Sequence, residues 1–344
     1  MTDNEAALQD GHLGNQNWTA YNEAQTKEKL IFFDVLAELC AFVPKPPKGV
    51  RGRPRADVGS MIFCCATKEY DNTSSRRLLS DLVLARGKNC IAHVPHFNTV
   101  LKYLNQPELT PVLTDLIKLS ALPLKDLEDT FAVDASGLTS AFYTSWFDFR
   151  FGKIGGDRTA HNWLKIHLIC GVKSNIVTHI IVTDGRTADS PQFPELVIET
   201  AKNFRIKEVS ADKGYSGREN HDVAASVGAT PFIPFRSNAT GKSHGSTAWR
   251  KMFHYFQLHR EEYMEHYHKR SNVESTFSML KRKFGSRLML KSEVGQVNEA
   301  LARVLCHNIC VLVKEFYKGN AELDFTEFAH LFPLLHINQP FNTL

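Results

Sequence analysis

The sequence has no Cys-x-x-Cys pair among its seven cysteines, and an odd number of cysteines cannot pair completely within one chain. Zinc sites built on two such pairs are therefore excluded. Most of the cysteines lie in apolar segments such as MIFCCA, which predicts buried, reduced thiols in a reducing compartment. Cys306 and Cys310 lie on either side of His307, but on an apolar helix this spacing indicates core packing far more often than a metal site.

Long apolar runs are also missing from the sequence. No uninterrupted apolar stretch reaches the roughly 18 residues that a membrane-spanning helix needs. The opening segment, MTDNEAALQDGHLGNQNW, is polar and acidic, unlike a signal peptide. We therefore expect a cytoplasmic protein that has no membrane partner.

The overall charge is low, at +4 for 344 residues, which permits nucleic-acid binding but does not argue for it. Local charge is more informative. Residues 263–291 contain seven Lys or Arg against two Glu, so this stretch carries +5, more than the whole chain. A solvated helix face and a phosphate-binding surface explain this excess about equally well.

The order of sequence patterns predicts four segments. Residues 1–20 are polar and aperiodic and are expected to be a disordered tail. Residues 21–122 carry apolar residues at helical spacing, which predicts a small all-helical domain suited to DNA binding. Residues 123–318 form the main domain, and residues 319–344 a C-terminal tail.

The main domain begins with strands and continues with alternating helices and strands. The segments DTFAVDAS, AFYTSWFDFRFG, NWLKIHLICGV and NIVTHIIVTDG read as strands, and IKEVSADKG and TPFIPFR follow between helices. Two further helices are predicted over 255–283 and 296–317. Antiparallel strands followed by β-α-β crossovers predict an α/β fold with a mixed sheet and helices on its faces.

Two aspartates come at the ends of predicted strands. Asp134 follows the apolar run FAV, and Asp212 ends KEVSAD just before a glycine. Taken singly, a strand-end aspartate is more often a turn former than a catalytic group. However, ligand sites gather at the carboxyl ends of parallel strands. If the first and fourth strands pair side by side, both aspartates lie at one edge of the sheet.

Four polar residues recur at helical spacing near the C-terminus: Tyr267, Arg270, Glu274 and Lys281. On one continuous helix they would fall within an arc of roughly 60°. An apolar stripe runs beside them, formed by Val273, Phe277, Leu280 and Phe284. A salt-bridged helix face is the simpler interpretation. If the stripe packs on the sheet, however, Glu274 joins the two aspartates. Such carboxylates suit two Mg²⁺ or Mn²⁺ ions about 4 Å apart, as in phosphoryl transfer.

These residues resemble those of the DDE transposases of prokaryotic insertion sequences, which have an RNase H-like catalytic domain. The spacing Tyr-x2-Arg-x3-Glu-x6-Lys matches the motif of one large group of them, and the contexts VDAS and SADKGYSG also match. The resemblance covers residues 125–315 well and the helical N-terminal region loosely. It implies that two Mg²⁺ or Mn²⁺ ions are bound by the catalytic residues Asp134, Asp212 and Glu274. It implies that transposon-end phosphates are held by Tyr267, Arg270 and Lys281.

The resemblance also implies a reaction and partners. Hydrolysis would free a 3′-hydroxyl at the transposon end, and this hydroxyl would attack target DNA. The partners would be double-stranded terminal repeats and target DNA, bound by a homodimer at the prokaryotic nucleoid. Two alternatives are an RNase H-like nuclease that does not join strands and an inactive transposase-derived DNA-binding protein. The intact set of acids argues against the inactive form.

Two further segments carry basic residues that suit DNA contact. The run Arg51-Gly52-Arg53-Pro54-Arg55 resembles the core of an AT-hook, although a basic loop ahead of a helix is the simpler interpretation. Phosphate contact by Arg51, Arg53 and Arg55 is therefore favoured over sequence readout. Residues 237–250 are polar and are expected to form a DNA-facing loop.

Overall fold

The computed structural model describes residues 17–44, 56–139 and 163–331. The predicted strand at 141–152 lies outside these ranges. So do the three arginines of the AT-hook-like run, Arg51, Arg53 and Arg55.

Five helices precede the sheet in the described part of the chain. They are α1 (Trp18–Ala41), α2 (Val58–Tyr70), α3 (Leu78–Gly87), α4 (Phe97–Leu104) and α5 (Leu109–Ala121). The first helix begins at Trp18, inside the segment expected to be disordered, because the side chain of Asn17 accepts a hydrogen bond from the Ala20 amide. Asp57 caps α2 in the same way, through the amide of Ser60.

The sheet has five strands in the order β3-β2-β1-β4-β5. They are β1 (Thr130–Thr139), β2 (Trp163–Gly171), β3 (Val177–Asp184), β4 (Glu208–Ala211) and β5 (Thr230–Phe232). The first three strands pair antiparallel, whereas β4 runs parallel to both β1 and β5. This is the mixed sheet that the sequence predicted, and the RNase H-like α/β fold class is confirmed.

Six helices accompany and follow the later strands. They are α6 (Phe193–Ala201), α7 (Arg218–Ser226), α8 (Thr247–Leu258), α9 (Arg260–His268), α10 (Ser271–Phe284) and α11 (Glu293–Tyr317). The prediction of one helix over 255–283 is wrong. At Lys269 and Arg270 the chain makes tighter turns, with the Arg270 amide bonded to the Tyr267 carbonyl at 2.9 Å. The Asn272 side chain bonds the Lys269 carbonyl at 3.0 Å, which satisfies an acceptor left over at the end of α9.

One continuous apolar core joins the N-terminal helices, the sheet and α11. The last helix is buried on most of its faces and packs against α1, α2 and α5. Asn308 shows how tightly these layers are joined, since its side chain bonds both main-chain groups of Val177 and the carbonyl of Ile117. The N-terminal helices therefore support the sheet directly.

A second, smaller core lies between β5 and the helices α8 and α9. It is formed by Phe232, Phe235, Trp249, Met252, Phe256 and Tyr263. The Tyr263 hydroxyl donates to the Ile233 carbonyl at 2.8 Å, which ties α9 to the sheet edge. This packing holds α9, and so the residues just after it, beside the ends of β1 and β4.

Candidate active site

Asp134 and Asp212 lie next to each other on neighbouring parallel strands. Val133 pairs with Ala211, so Asp134, the next residue on β1, lies beside Asp212, the residue that follows β4, and the predicted pairing of these strands is confirmed. Each carboxylate is oriented by a local amide: Ala135 donates to Asp134 at 2.9 Å, and Gly214 to Asp212 at 2.7 Å. The two strands thus present a pair of carboxylates at one position on the sheet.

Glu274 comes to the same place from the first turn of α10. Val273 and Phe277 are buried beneath this helix, which packs on β1, so Glu274 is left on the exposed side. Its side chain is 58% exposed, against 21% for Asp134. Burial raises the pKa of Asp134, and the charges of Asp212 and Glu274 raise it further. The carboxylate of Asp134 is therefore repelled by both of the other acids.

Arg270 lies between two of these acids. Its guanidinium donates from Nη1 to Asp134 Oδ2 at 2.8 Å and from Nη2 to Glu274 Oε1. Burial alone would lower the pKa of Arg270, but Asp134, Tyr267 and Glu274 together raise it. Tyr267 and Arg270 do not lie on the same helix as Glu274. Even so, the short turn between α9 and α10 leaves the residues of the motif at one site.

Lys281 completes the basic side of the site from the last turn of α10. Its ammonium group donates to the hydroxyl of Ser136 at 2.7 Å. Ser136 lies two residues after Asp134 on β1, and the two side chains share one face of the sheet. The Lys281 ammonium group is partly buried, and this burial lowers its pKa. A cation therefore lies along the same strand as the first acid.

The donor chemistry of the three acids fits a hard divalent cation, since all their donors are carboxylate oxygens. Within the described ranges, however, no three His, Cys, Asp or Glu side chains are arranged closely enough to hold a metal ion. The Arg270 guanidinium bonds directly to two of the three predicted ligands, Asp134 and Glu274. A metal ion and this guanidinium would compete for the same oxygens.

The apolar cluster at Cys306, His307 and Cys310 forms part of the core, as predicted. Cys306 is fully buried and bonds the Ala66 carbonyl. His307 lies 2.9 Å from the Asn175 carbonyl, and burial lowers its pKa to about 4.

A basic pocket beside Asp212 was not predicted from the sequence. It has a volume of about 580 Å³ and is lined by Asp212, Lys213, Gly214, Arg236, Ser237 and Asn238. The Arg236 guanidinium donates to the Gly214 carbonyl at 3.2 Å, so it is held over the loop that follows Asp212. The only sequence signals were a lysine directly after the second acid and an arginine after β5, and neither is distinctive.

The face of the sheet opposite the acids carries a separate set of polar side chains. His167 pairs with Ala135 rather than with Asp134, so it points away from the acids. It is buried, with Nε2 2.9 Å from the Thr183 hydroxyl. Lys165, on the same face, bonds Asp189 at 3.0 Å. These residues stabilise the packing beneath the site.

Tyr215 follows Asp212 by three residues, and its ring packs against Phe193 in the core. Its side chain is buried, and its hydroxyl has no hydrogen-bond partner among the residues that the structure describes. Burial raises its pKa, and the nearby charges of Asp134, Asp189 and Asp212 raise it further. The phenol therefore stays neutral and keeps a proton near the acids.

Across the three described ranges, no helix combines the length and apolar character that crossing a membrane requires.

The family model described as "Transposase DDE domain" matches residues 125–309, more than half of the chain. A solved structure described as "Cryo-EM structure of piggyBac transposase synaptic complex with hairpin DNA (SNHP)" is similar over 88% of this chain and 78% of that chain. The sequence identity is 12% and the TM-score is 0.42, so the likeness is distant.

Proposed function

The chain belongs to the family of transposase DDE domains, and from that premise we propose that it cleaves DNA at insertion-sequence ends and joins the freed 3′-hydroxyl to target DNA. One observation carries this proposal. Two carboxylates lie side by side on neighbouring parallel strands, one within β1 and one just after β4, with a third on the helix packed above them and a lysine along β1. Cleavage and transfer of phosphodiesters need such a combination of acids and cations.

The family generally uses divalent metal ions. We assign Asp134, Asp212 and Glu274 as the residues that would hold two Mg²⁺ or Mn²⁺ ions. When bound, such ions activate a water or a 3′-hydroxyl as nucleophile and stabilise the leaving oxygen. The amides of Ala135 and Gly214 donate to the two aspartates and so fix the orientation of their carboxylates.

The phosphates of the DNA end would be held by the cationic side of the site. Lys281 presents a charge along β1, and Tyr267, in the last turn of α9, lies beside Arg270, which contacts two of the acids. We extend this surface to Lys213 and Arg236, whose pocket opens directly beside Asp212. Cations on both sides of the acids would hold a DNA strand across them.

The remaining assignments concern the rest of the assembly. We propose that the helices of residues 21–122, together with Arg51, Arg53 and Arg55, contact duplex DNA through its phosphates. The partners are the terminal repeats and target DNA, bound by a homodimer at the nucleoid of a prokaryotic cell.

The test is a cleavage and joining assay on duplexes that carry the inverted repeats flanking the gene, with Mg²⁺ or Mn²⁺. Cleavage with joining supports a transposase. Cleavage without joining would instead favour the nuclease, and binding without reaction the inactive derivative.

The three acids are tested by Asp134→Asn, Asp212→Asn and Glu274→Gln. Each should lower the cleavage rate about 1,000-fold, since metal ions supply several kcal/mol of transition-state stabilisation and about 1.4 kcal/mol is tenfold. The matched control is Asp126→Asn, which changes an exposed aspartate ahead of β1 and should leave the rate unchanged. A variant that still cleaves at the wild-type rate would remove its residue from the triad.

A further inference from the structure

Both ends of the Arg270 guanidinium are used by carboxylates that are proposed metal ligands. Nη1 bonds Asp134 Oδ2 at 2.8 Å, and Nη2 bonds Glu274 Oε1. The Arg270 side chain is only 19% exposed. A guanidinium binds a phosphate best through two parallel donors, and these donors are already engaged. In this arrangement Arg270 cannot also hold a DNA phosphate in the same way.

The backbone of Arg270 is held on both sides, so a change of partner must come from its side chain. Before it, Glu208 on β4 accepts from Lys269 at 2.7 Å and lies 2.9 Å from His266 Nδ1. After it, Val273 anchors α10 in the core. A long side chain on a fixed backbone can exchange partners by rotation about its own bonds.

Charge gives the reason for such an exchange. The charges of Asp212 and Glu274 act against that of Asp134, and the single positive charge of Arg270 offsets this repulsion. A divalent cation on the same oxygens would supply twice that charge and would repel the guanidinium. The displaced guanidinium then lies beside the acids, where a scissile phosphate would have to sit.

We propose that Arg270 is a latch: Asp134 and Glu274 hold its guanidinium until a divalent cation binds, and cation binding transfers it to a DNA phosphate. The proposal rests on the proposed function, because it takes these acids as metal ligands. The latch also couples the binding of metal and DNA. If metal raises the affinity for DNA by some factor, DNA must raise the affinity for metal by the same factor.

The first test measures Mn²⁺ affinity of the full chain without DNA, by calorimetry and by the electron paramagnetic resonance signal of free Mn²⁺. Arg270→Gln should bind Mn²⁺ about tenfold more tightly than wild type, because the competing cation is gone. Arg270→Lys, which keeps the charge but loses the two-pronged geometry, should fall between them. The matched control is Arg282→Gln, an exposed cation on α10, whose affinity should equal that of wild type. Equal or weaker Mn²⁺ binding by a folded Arg270→Gln variant would overturn the latch.

An Asp134→Asn variant separates this failure from failure of the proposed function. If wild type and Asp134→Asn bind Mn²⁺ equally, the acids do not form the metal site, and both proposals fail. If Mn²⁺ binding depends on Asp134 but not on Arg270, only the latch fails.

The second test measures DNA affinity against salt concentration, with and without Ca²⁺ in place of the catalytic ion, on a mixed-sequence duplex. Adding Ca²⁺ should steepen the logarithmic salt slope of the wild type more than that of Arg270→Gln. The expected difference between the two changes is about 0.9, the value for one additional phosphate contact. If Ca²⁺ changes the two slopes equally, the guanidinium is not transferred, and the proposal is refuted.

Discussion

Replacing Arg303 by Met should destabilise the protein and loosen the end of the active-site helix α10. Arg303 is 3% exposed and donates to Glu69 at 3.1 Å and to the carbonyls of Gly285 and Arg287 at 3.0 Å each. It also bonds Glu299 at 2.5 Å. It thereby joins α2 and α11 to the segment that leaves α10. That segment in turn pairs with the end of β1, through Thr139.

The magnitude follows from what the substitution leaves behind. Removing one partner of a buried ion pair costs about 3–5 kcal/mol, because the remaining charge is uncompensated. We expect a cost at the lower end of this range, about 3 kcal/mol, because Glu69 and Glu299 both keep other partners. Lys68 still bonds Glu69 at 2.6 Å, and the amides of Met289 and Leu290 still donate to Glu299. A second substitution, Glu299→Gln, should restore about 1–2 kcal/mol by removing the unpaired charge.

The assay is urea unfolding followed by tryptophan fluorescence, with Arg282→Met as the exposed control. Burial and Glu69 already raise the pKa of Glu299 in the wild type, and Arg303 opposes this rise. Loss of Arg303 raises that pKa further, so the folded variant takes up a proton more readily. Its deficit in unfolding free energy should therefore shrink as the pH falls and grow as it rises. An Arg303→Met variant within 0.5 kcal/mol, roughly the range of surface substitutions, would refute this account of the network.

Three further predictions concern DNA binding and pH. Lys281→Ala should weaken duplex binding and reduce the salt slope by about 0.9, whereas unchanged salt dependence would exclude a phosphate contact. Arg236→Gln should also weaken duplex binding and reduce the salt slope. The control Arg205→Gln, at the far end of β4, should bind as wild type does. If the two variants bind DNA equally well, the pocket does not contact DNA. Burial lowers the pKa of His307 to about 4, below the pKa of this side chain in the unfolded chain. The stability that neutral His307 contributes is therefore fully present above about pH 6.5 and is lost as the pH falls toward 4. His307→Gln should flatten that part of the curve of unfolding free energy against pH, and an unchanged curve would contradict the assignment.

Much of the fold was predictable because local patterns specify it. Alternating apolar residues mark β2 and β3, and a short apolar run followed by an acid marks β1 and β4. The order of these elements leaves few possible sheets, because a β-α-β crossover places its strands parallel. The adjacency of Asp134 and Asp212 was predicted on the condition that the first and fourth strands pair, and the structure shows that pairing.

The break at Lys269 and Arg270 was not predictable in the same way. Neither residue disfavours a helix, and Pro and Gly are absent from this stretch. The break depends on contacts between segments distant in sequence, since Glu208 on β4 holds His266 and Lys269. Periodicity within one segment carries no information about such contacts.

The sequence by itself determined the chemistry of this protein: which acids and cations it carries, and at what spacing. The structure decided how these groups are paired. It joined Arg270 to two acids rather than leaving it free, placed Lys281 over Ser136, and opened a basic pocket beside Asp212. The physical reason is that side-chain pairing depends on distances between strands and helices, and packing of the whole chain sets those distances.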